Sequence, residues 1–185
     1  MEKCLGQIDK FRNMLDLLIQ KRVHDEQDSP KALQLNEILE EELSVLYHNQ
    51  FFKHQVKVHK ELASPLPLLR GHYLDLSQGF SNLIQNALEA MEGSQQKELT
   101  IMTRVQGNLL RVAVKDTGCG VPEEIKPNLF QPFFTSKGGK HPGLGLYITR
   151  QLLSPYGATF QVSSQPGETI LEVSFPISGT SIGKA

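Results

Sequence analysis

The chain has 185 residues, of which 39% are hydrophobic and 21% charged, and its formal net charge is −1. This length suits one good-sized domain with or without an appended helical piece, and the near-neutral charge gives no support for binding to nucleic acid or to an anionic membrane surface. No apolar run approaches a membrane span of roughly 20 residues, and the N-terminus lacks a signal peptide's apolar core. Two cysteines cannot form a disulfide framework. We therefore expect a cytoplasmic chain, either free or cut from a larger membrane-attached protein.

The N-terminal part is predicted to be helical. Residues 2 to about 25 place apolar side chains at alternating steps of four and three, the spacing of a heptad seam: Cys4, Ile8, Phe11, Leu15 and Leu18. Such a helix either lies on its own domain or forms half of a helical hairpin that pairs with another chain, and the short seam leaves both open. A polar break at residues 24–30 precedes a second helix, predicted from about Leu35 to His48.

From Phe51 onward, strands alternate with helices. In chain order we predict strands in QVKVHKEL and LPLLR, a helix over residues 72–92, a hairpin of ELTIMTRV and LLRVAVKD, a long loop, a helix from Gly143 to near Gly157, and a last hairpin of ATFQVSS and ETILEVSFPI. This order predicts an α+β fold, a two-layer α/β sandwich in which helices cover one face of a mixed sheet, preceded by the N-terminal helical segment. Residues 178–185 are expected to form a disordered tail.

The helix over residues 72–92 carries an unusual polar stripe. At about 100° per residue its apolar side chains share one broad face: Leu76, Phe80, Leu83, Ile84, Ala87, Leu88 and Met91. Asn82 and Asn86 lie almost opposite, in a stripe with Asp75, Gln78 and Glu89. A solvated face is the ordinary interpretation, but asparagine is a mediocre helix former. Two carboxamide oxygens one turn apart are also hard ligands suited to Mg²⁺.

The strand LLRVAVKD ends in an aspartate that is followed at once by glycines. Alternation places Asp116 on the same side as Leu110, Val112 and Val114, so it points inward if they face the core. A buried carboxylate needs a partner, and a ligand N–H such as an adenine amino group would supply one. Gly118 and Gly120 would then allow a flat ring to approach the backbone, although a strand end in which Asp116 only caps a turn explains DTGCG equally well.

A second glycine-rich segment, LFQPFFTSKGGKHPGLGLYI, spans residues 129–148. Three phenylalanines precede Thr135, Ser136 and Lys137, and Gly143 and Gly145 open the next helix. N–H groups at a helix N-terminus favour phosphate, and a long loop inside a compact domain is usually functional or disordered. The segment therefore indicates either a phosphate-binding lid with an apolar anchor or a mobile surface loop.

Taken together, these segments resemble a known family. NLIQNALEAM, DTGCGVPEEI, LFQPFFTSK and GLGLYITRQL resemble, in this order, the asparagine, first glycine, phenylalanine and second glycine boxes of sensor histidine kinases, closest to the nitrogen-regulation-like branch. The resemblance implies the Bergerat ATP-binding fold of gyrase-type, heat-shock-90-type and mismatch-repair ATPases. It divides the chain into a helical segment (1–50) that resembles the second helix of a dimerisation hairpin, a catalytic ATP-binding domain (51–177) and a tail (178–185).

The resemblance also implies roles for individual residues. Asn86 would bind Mg²⁺ bridging the triphosphate of ATP, with Asn82 supporting the phosphates, and Asp116 would accept a hydrogen bond from the adenine amine. The remaining implied ATP-binding residues surround the base or belong to the lid and the phosphate cradle: Gly118, Gly120, Phe133, Phe134, Thr135, Ser136, Lys137, Gly143, Leu144 and Gly145. Asn82, Asn86 and Lys137 are the implied catalytic set.

Three features depart from the family pattern. His141-Pro142 stands where the second glycine box usually has an earlier glycine, and Glu89 stands where many members carry a basic residue. No phosphoacceptor box is visible, since only His24 of the six histidines precedes acidic residues, and it lies at a helix end before a break. We therefore expect the phosphate acceptor to be a histidine on a dimerisation domain absent from this chain. The resemblance further implies that the full-length protein forms a homodimer and that a response regulator receiver domain is its partner. Neither nucleic acid nor direct membrane contact is expected.

Two other functions stay open at this point. The first is an ATP-hydrolysing conformational clamp of the same fold, but those relatives carry a water-activating glutamate where this chain has Asn82. The second is a non-catalytic nucleotide-binding module that regulates a partner, which the departures at Glu89 and His141-Pro142 would suit. Cys119 is interpreted as a small loop residue rather than a redox switch.

Overall fold

The computed structural model describes residues 29–46, 50–135 and 143–177. The helices are α1 (Leu35–Leu46), α2 (Gln50–Gln55), α3 (Tyr73–Ala90) and α4 (Gly145–Leu153), with short 3₁₀ helices at Glu123–Asn128 and Ser154–Tyr156. The strands are β1 (Lys31–Leu33), β2 (Lys57–Leu62), β3 (Leu69–Gly71), β4 (Glu98–Gln106), β5 (Leu109–Asp116), β6 (Thr159–Gln165) and β7 (Glu168–Pro176).

Five strands form one mixed sheet in the order β2-β4-β5-β7-β6. β2 runs parallel to β4, while the other neighbouring pairs are antiparallel. The two predicted hairpins supply β4–β5 and β6–β7, and Gly107 makes the first turn with a φ of +59°. The remaining strands, β1 and β3, pair antiparallel in a separate two-stranded sheet.

The core lies between the helices and one face of this sheet. Alternate residues of the central strands are buried there, as a pleated strand with one covered face requires: Leu99, Ile101, Leu110, Val112, Val114, Leu171, Val173 and Phe175. Helix α3 contributes its predicted apolar face, and Phe80 meets Phe175 edge-on with ring centroids 6.4 Å apart. Helix α1 buries Leu35, Leu39 and two further apolar residues in the same core. The predicted two-layer α/β sandwich is confirmed.

Two short elements are absent from the sequence prediction. Helix α2 is only six residues long and is fixed by Phe52, which is 1% exposed. Strand β1 gains its partner from residues almost forty positions away, with Lys31 opposite Gly71. Neither element is long enough to show a period of its own.

Helix α4 begins later than predicted. Gly143 has a φ of +67°, which is incompatible with a right-handed helix, so the helix begins at Gly145. Its far end agrees with the prediction, because Gly157 adopts a left-handed conformation with a φ of +72° after the 3₁₀ turn. Most of the second predicted helix is confirmed as α1, up to Leu46.

Some predictions fall outside the described residues. These are the helix over residues 2–25 and the tail at 178–185, and the predicted domain boundary near residue 50 also stays a prediction. Across the described ranges, no helix has the length and apolarity that crossing a bilayer requires.

Candidate nucleotide-binding site

The predicted site begins on helix α3. Its apolar face is buried against the core, and the polar stripe contacts helix α4 through Asn82. Asn82 and Asn86 are both half-buried there. The Asn82 amide nitrogen Nδ2 donates to the carbonyl oxygen of Gly145 at 3.3 Å, and its Oδ1 accepts from Gln78 Nε2 at 3.1 Å. The structure thus brings the first asparagine to the start of α4.

Asp116 ends strand β5 on the covered face of the sheet. It is 4% exposed, in line with its buried neighbours Val112 and Val114, so the inward direction predicted from alternation is confirmed. One carboxylate oxygen, Oδ1, accepts the backbone N–H of Gly118 at 2.8 Å. This bond shapes the turn after β5, as in the alternative interpretation of DTGCG.

The glycine-rich turn after β5 packs on the last residue of α3. The backbone N–H of Cys119 donates to the carbonyl oxygen of Ala90 at 3.1 Å. A Cβ at Gly118 would lie 2.6 Å from Asp116 Oδ1 and 2.7 Å from the Cβ of Ala90, so no side chain fits there. Glycine at 118 is therefore required by contact between the turn and the helix, independently of any ligand.

Gly120 has a different structural role. Its φ is +80°, and a Cβ would lie 2.6 Å from the carbonyl oxygen of Gln165 in the β6–β7 turn. The next residue, Val121, donates its N–H to Ser164 Oγ at 2.8 Å. The second glycine of DTGCG thus holds the segment after β5 against the neighbouring hairpin.

The segment LFQPFFTSK, called the phenylalanine segment below, is anchored by its first phenylalanine, Phe130. The Phe130 ring packs on Phe160 of β6, with ring centroids 5.0 Å apart, and both pack against the core. Phe133 has a φ of +64°, an uncommon conformation for a bulky residue, and Phe133 and Phe134 are half-buried. Of the residues singled out in this segment, Ser136, Lys137 and the His141-Pro142 pair lie outside the described residues.

The two glycines at the second glycine box differ in what surrounds them. A Cβ at Gly143 would collide with the backbone carbonyl of Phe134. The absence of a side chain at Gly143 therefore lets the backbone of Phe134 pass close to the residue that precedes Leu144 and α4. A Cβ at Gly145 would have nothing within 4 Å among the described residues, and its φ is not in the left-handed region. Among the predicted site glycines with described positions, Gly145 alone is left unexplained by packing or backbone conformation.

The N-terminus of α4 suits an anion. Leu144 is the N-cap residue, and its side chain has no oxygen with which to cap the first N–H groups. Four N–H groups at a helix start lack partners within the helix, and the helix dipole is positive there. Gly145, the first residue of α4, has no side chain to cover these donors.

Helix α3 therefore connects the two ends of the candidate site. At one end, the turn that carries Asp116 and Gly118 packs on Ala90. At the other end, Gly145 contacts Asn82, which lies eight residues before Ala90 on the helix. At 1.5 Å per residue this separation is about 12 Å along the helix axis, the scale of a nucleotide. Asn86 lies midway between the two. Sequence reasoning missed a role for Gln78, although it belongs to the polar stripe.

A divalent cation in this site would need oxygen ligands other than clustered acids. Among the described residues, no group of three or more His, Cys, Asp or Glu side chains is arranged to hold a metal. The carboxamide of Asn86 offers a hard oxygen, and Mg²⁺ commonly combines one or two protein ligands with substrate phosphates and water. The residues thus fit Mg²⁺ carried by a phosphate ligand.

Comparison of the sequence with known proteins finds relatives among bacterial sensor proteins. The sensor protein FixL of Bradyrhizobium diazoefficiens is 39% identical over 92 residues, which are 49% of this chain and 18% of FixL. The histidine kinase/phosphatase NtrB of Klebsiella oxytoca is 27% identical over 183 residues, 94% of this chain and 50% of NtrB. The chain thus spans half or less of the length of these relatives.

A solved structure shows the same fold. The nucleotide-free catalytic domain of the histidine kinase ThkA superposes with a TM-score of 0.69 at 26% identity, covering 80% of this chain and 95% of that domain. The family model described as "Histidine kinase-, DNA gyrase B-, and HSP90-like ATPase" matches residues 71–179, more than half of the chain. The chain therefore belongs to this ATPase family, as an ATP-binding catalytic domain of the sensor histidine kinase type.

Proposed function

We propose that this domain binds Mg²⁺-ATP along helix α3 and transfers the γ-phosphoryl group to a histidine on a dimerisation domain, for relay to a response regulator receiver domain. The observation that carries the proposal is the arrangement along α3. Asn82 holds the start of α4, and the turn carrying Asp116 packs on Ala90 about two turns further along. One helix thus sets the separation between an acceptor for a base and donors for phosphates.

The base end of the site rests on Asp116. The adenine amine would donate to its carboxylate, which is buried and already oriented by the Gly118 N–H. A carboxylate offers about four lone-pair positions, so this bond does not prevent a second. Water is a weak competitor because Asp116 is 4% exposed.

The phosphate end rests on the start of α4. The uncapped N–H groups after Leu144 would donate to phosphate oxygens, and the absence of a side chain at Gly145 leaves room for them. We assign Lys137, together with Thr135 and Ser136, to the same end, where an ammonium group would add positive charge. We also assign Phe133 and Phe134 to anchoring the lid.

The metal would be held by Asn86. Bound Mg²⁺ would neutralise charge on the phosphates during transfer. The carboxamide would contribute a neutral oxygen, and Asn86 lies on α3 between the residues assigned to the two ends of the site. Asn86→Ala should therefore weaken the Mg²⁺-dependent part of binding and abolish most of the transfer.

Transfer to histidine needs no proton acceptor from this domain. The neutral imidazole is itself the nucleophile, so positioning and charge stabilisation are the main tasks. Asn82 stands where hydrolysing relatives carry a glutamate, and a carboxamide cannot take a proton from water. This favours phosphotransfer over an ATP-hydrolysing clamp. The receiving histidine and the homodimer belong to the proposed full-length protein.

The proposal is tested by nucleotide titration and by transfer. Isothermal titration of the chain with ATP and Mg²⁺ should show binding, and incubation with the dimerisation hairpin of an NtrB-type kinase should label its histidine without steady phosphate release. Binding followed by continuous phosphate release would favour the clamp. Failure of the folded chain to bind millimolar Mg²⁺-ATP would exclude both enzymatic functions.

A further inference from the structure

The carboxamide of Asn82 is held at both of its polar atoms. Oδ1 accepts from Gln78 Nε2 at 3.1 Å, and Nδ2 donates to the carbonyl oxygen of Gly145 at 3.3 Å. An amide turned over by 180° would present oxygen to that carbonyl oxygen and nitrogen to the Gln78 amide nitrogen. Both contacts would become unfavourable, so Gln78 and the Gly145 carbonyl together favour the orientation in which Asn82 reaches α4.

The carbonyl that Asn82 reaches lies at a crossing of two helices. Gly145 O also accepts from the hydroxyl of Thr149 at 2.9 Å, and this side chain is fully buried. The same hydroxyl lies 3.4 Å from the carbonyl oxygen of Gly79 on α3. At Gly79 a Cβ would lie 3.0 Å from a methyl carbon of Leu153, so the two helices are in close contact.

This crossing fixes the far part of α4, and the bond from Asn82 holds its first residue, while Leu146 in the first turn packs against the core. Leu144, the N-cap residue, has no side-chain oxygen with which to cap the helix start. The bond from Asn82 to Gly145 therefore ties the first N–H groups of α4 to α3, the helix that carries Asn86.

From this geometry we infer that Gln78 is a positioning residue of the phosphate site. It touches neither nucleotide nor metal; it holds the Asn82 carboxamide in the orientation that keeps the start of α4 at a fixed distance from Asn86. The inference rests on the proposed function, because it assigns the phosphates to the start of α4. It makes Gln78 a determinant of phosphate affinity and leaves adenine recognition to the Asp116 end.

The test compares nucleotides that share a base and differ in phosphates. Gln78→Ala should weaken Mg²⁺-ATP and Mg²⁺-ADP binding about fivefold, the effect of one lost hydrogen bond, and leave adenosine affinity within twofold, measured by titration calorimetry and by NMR shifts for adenosine. Gln78→Met, which keeps the length of the side chain but has no donor, should give the same pattern. It also serves as the test variant if alanine at this half-buried position impairs folding.

A matched control lies two turns along the same helix. Gln85 also uses its amide as a donor, to Glu89 Oε1 at 3.4 Å, but does not contact Asn82. Gln85→Ala should therefore change ATP affinity less than twofold. In an Asn82→Ala background, Gln78→Ala should have no further effect, since its only proposed route to the phosphates has been removed.

The possible outcomes separate this inference from the proposed function. If the wild-type chain binds no Mg²⁺-ATP, both are overturned. If wild type binds ATP but both Gln78 variants bind it within twofold of wild type, or lose adenosine to the same degree, Gln78 does not position the phosphate site. An equal loss in the Asn82→Ala background would also overturn the inference, and in these cases the proposed function stands.

Discussion

At the scale of single residues, Asp116 is the group on which base selection depends. Asn at this position is nearly the same size and can still accept the Gly118 N–H with its oxygen. Its amide nitrogen would then face the adenine amine, donor against donor. We expect Asp116→Asn to weaken ATP binding tenfold to a hundredfold, as is typical for loss of a hydrogen bond to a charged group, without loss of the fold.

A second nucleotide makes this prediction sharper. Inosine triphosphate carries an oxygen in place of the adenine amine, so Asp116→Asn should bind it at least as well as ATP, whereas wild type should prefer ATP. Titration of both nucleotides into both proteins, with circular dichroism as the folding control, measures the change in preference. Unchanged ATP affinity in the variant would show that Asp116 only shapes the turn after β5.

The same residues show what a sequence can predict. Alternation in LLRVAVKD was enough to predict burial of Asp116, because the period of a strand is local. Part of the reason for Gly118 was not predictable, since it is contact with Ala90, 28 positions earlier. The polar stripe of α3 was visible from its period, but the bonds from Gln78 to Asn82 and from Asn82 to Gly145 required the position of α4.

At the scale of elements, the start of α3 is joined to the end of α4 by a buried polar contact. The Tyr156 hydroxyl donates to Asp75 Oδ2 at 2.5 Å and accepts the backbone N–H of His72 at 3.2 Å. Asp75 is 4% exposed, and Gly71 leaves room for the tyrosine ring, which would lie 3.0 Å from a Cβ there. This contact closes the α3–α4 pair at the end opposite Ala90.

Removal of the hydroxyl should destabilise the domain. Tyr156→Phe leaves a buried carboxylate without this donor, and we expect a loss of about 1–3 kcal/mol in the free energy of unfolding, measured in urea at pH 8. Tyr73→Phe is the matched control, because the Tyr73 hydroxyl donates to Glu41 at 2.7 Å on the surface and should contribute less than about 1 kcal/mol. Equal effects would contradict the buried contact.

The same contact predicts a dependence on pH. Burial, together with the hydrogen bond to Asp75, raises the pKa of Tyr156 above its ordinary value. A group whose pKa is raised on folding contributes fully below the unfolded value, near pH 10 for tyrosine, and its contribution falls as pH rises further. The difference in unfolding free energy between wild type and Tyr156→Phe should therefore shrink above about pH 10, and a constant difference would contradict this explanation.

At the scale of the whole molecule, the site is assembled from segments far apart in sequence. The turn after β5 and the start of α4 do not meet each other through any predicted local motif; each is fixed to α3, by Ala90 and by Asn82. The order of the four sequence boxes could therefore be predicted from family resemblance, and the sheet from strand patterns. The pairing of β1 with β3 could not, because neither three-residue strand has a readable period.

This assembly predicts how the fold responds to its ligands. Because no cluster of acidic or histidine ligands among the described residues is arranged to hold a metal, Mg²⁺ alone should leave the melting temperature unchanged. ATP with Mg²⁺ at about a hundred times the dissociation constant should stabilise the folded chain by about 2.7 kcal/mol, a rise of roughly 5–10 °C. ATP with a chelator should give a smaller rise, since the phosphates then rely on α4 and the lid alone.

Thermal unfolding under these three conditions, with Asn86→Ala as the variant that should lose only the Mg²⁺-dependent part, measures the prediction. A rise with Mg²⁺ alone equal to that with Mg²⁺-ATP would place the metal elsewhere in the protein and separate it from the nucleotide.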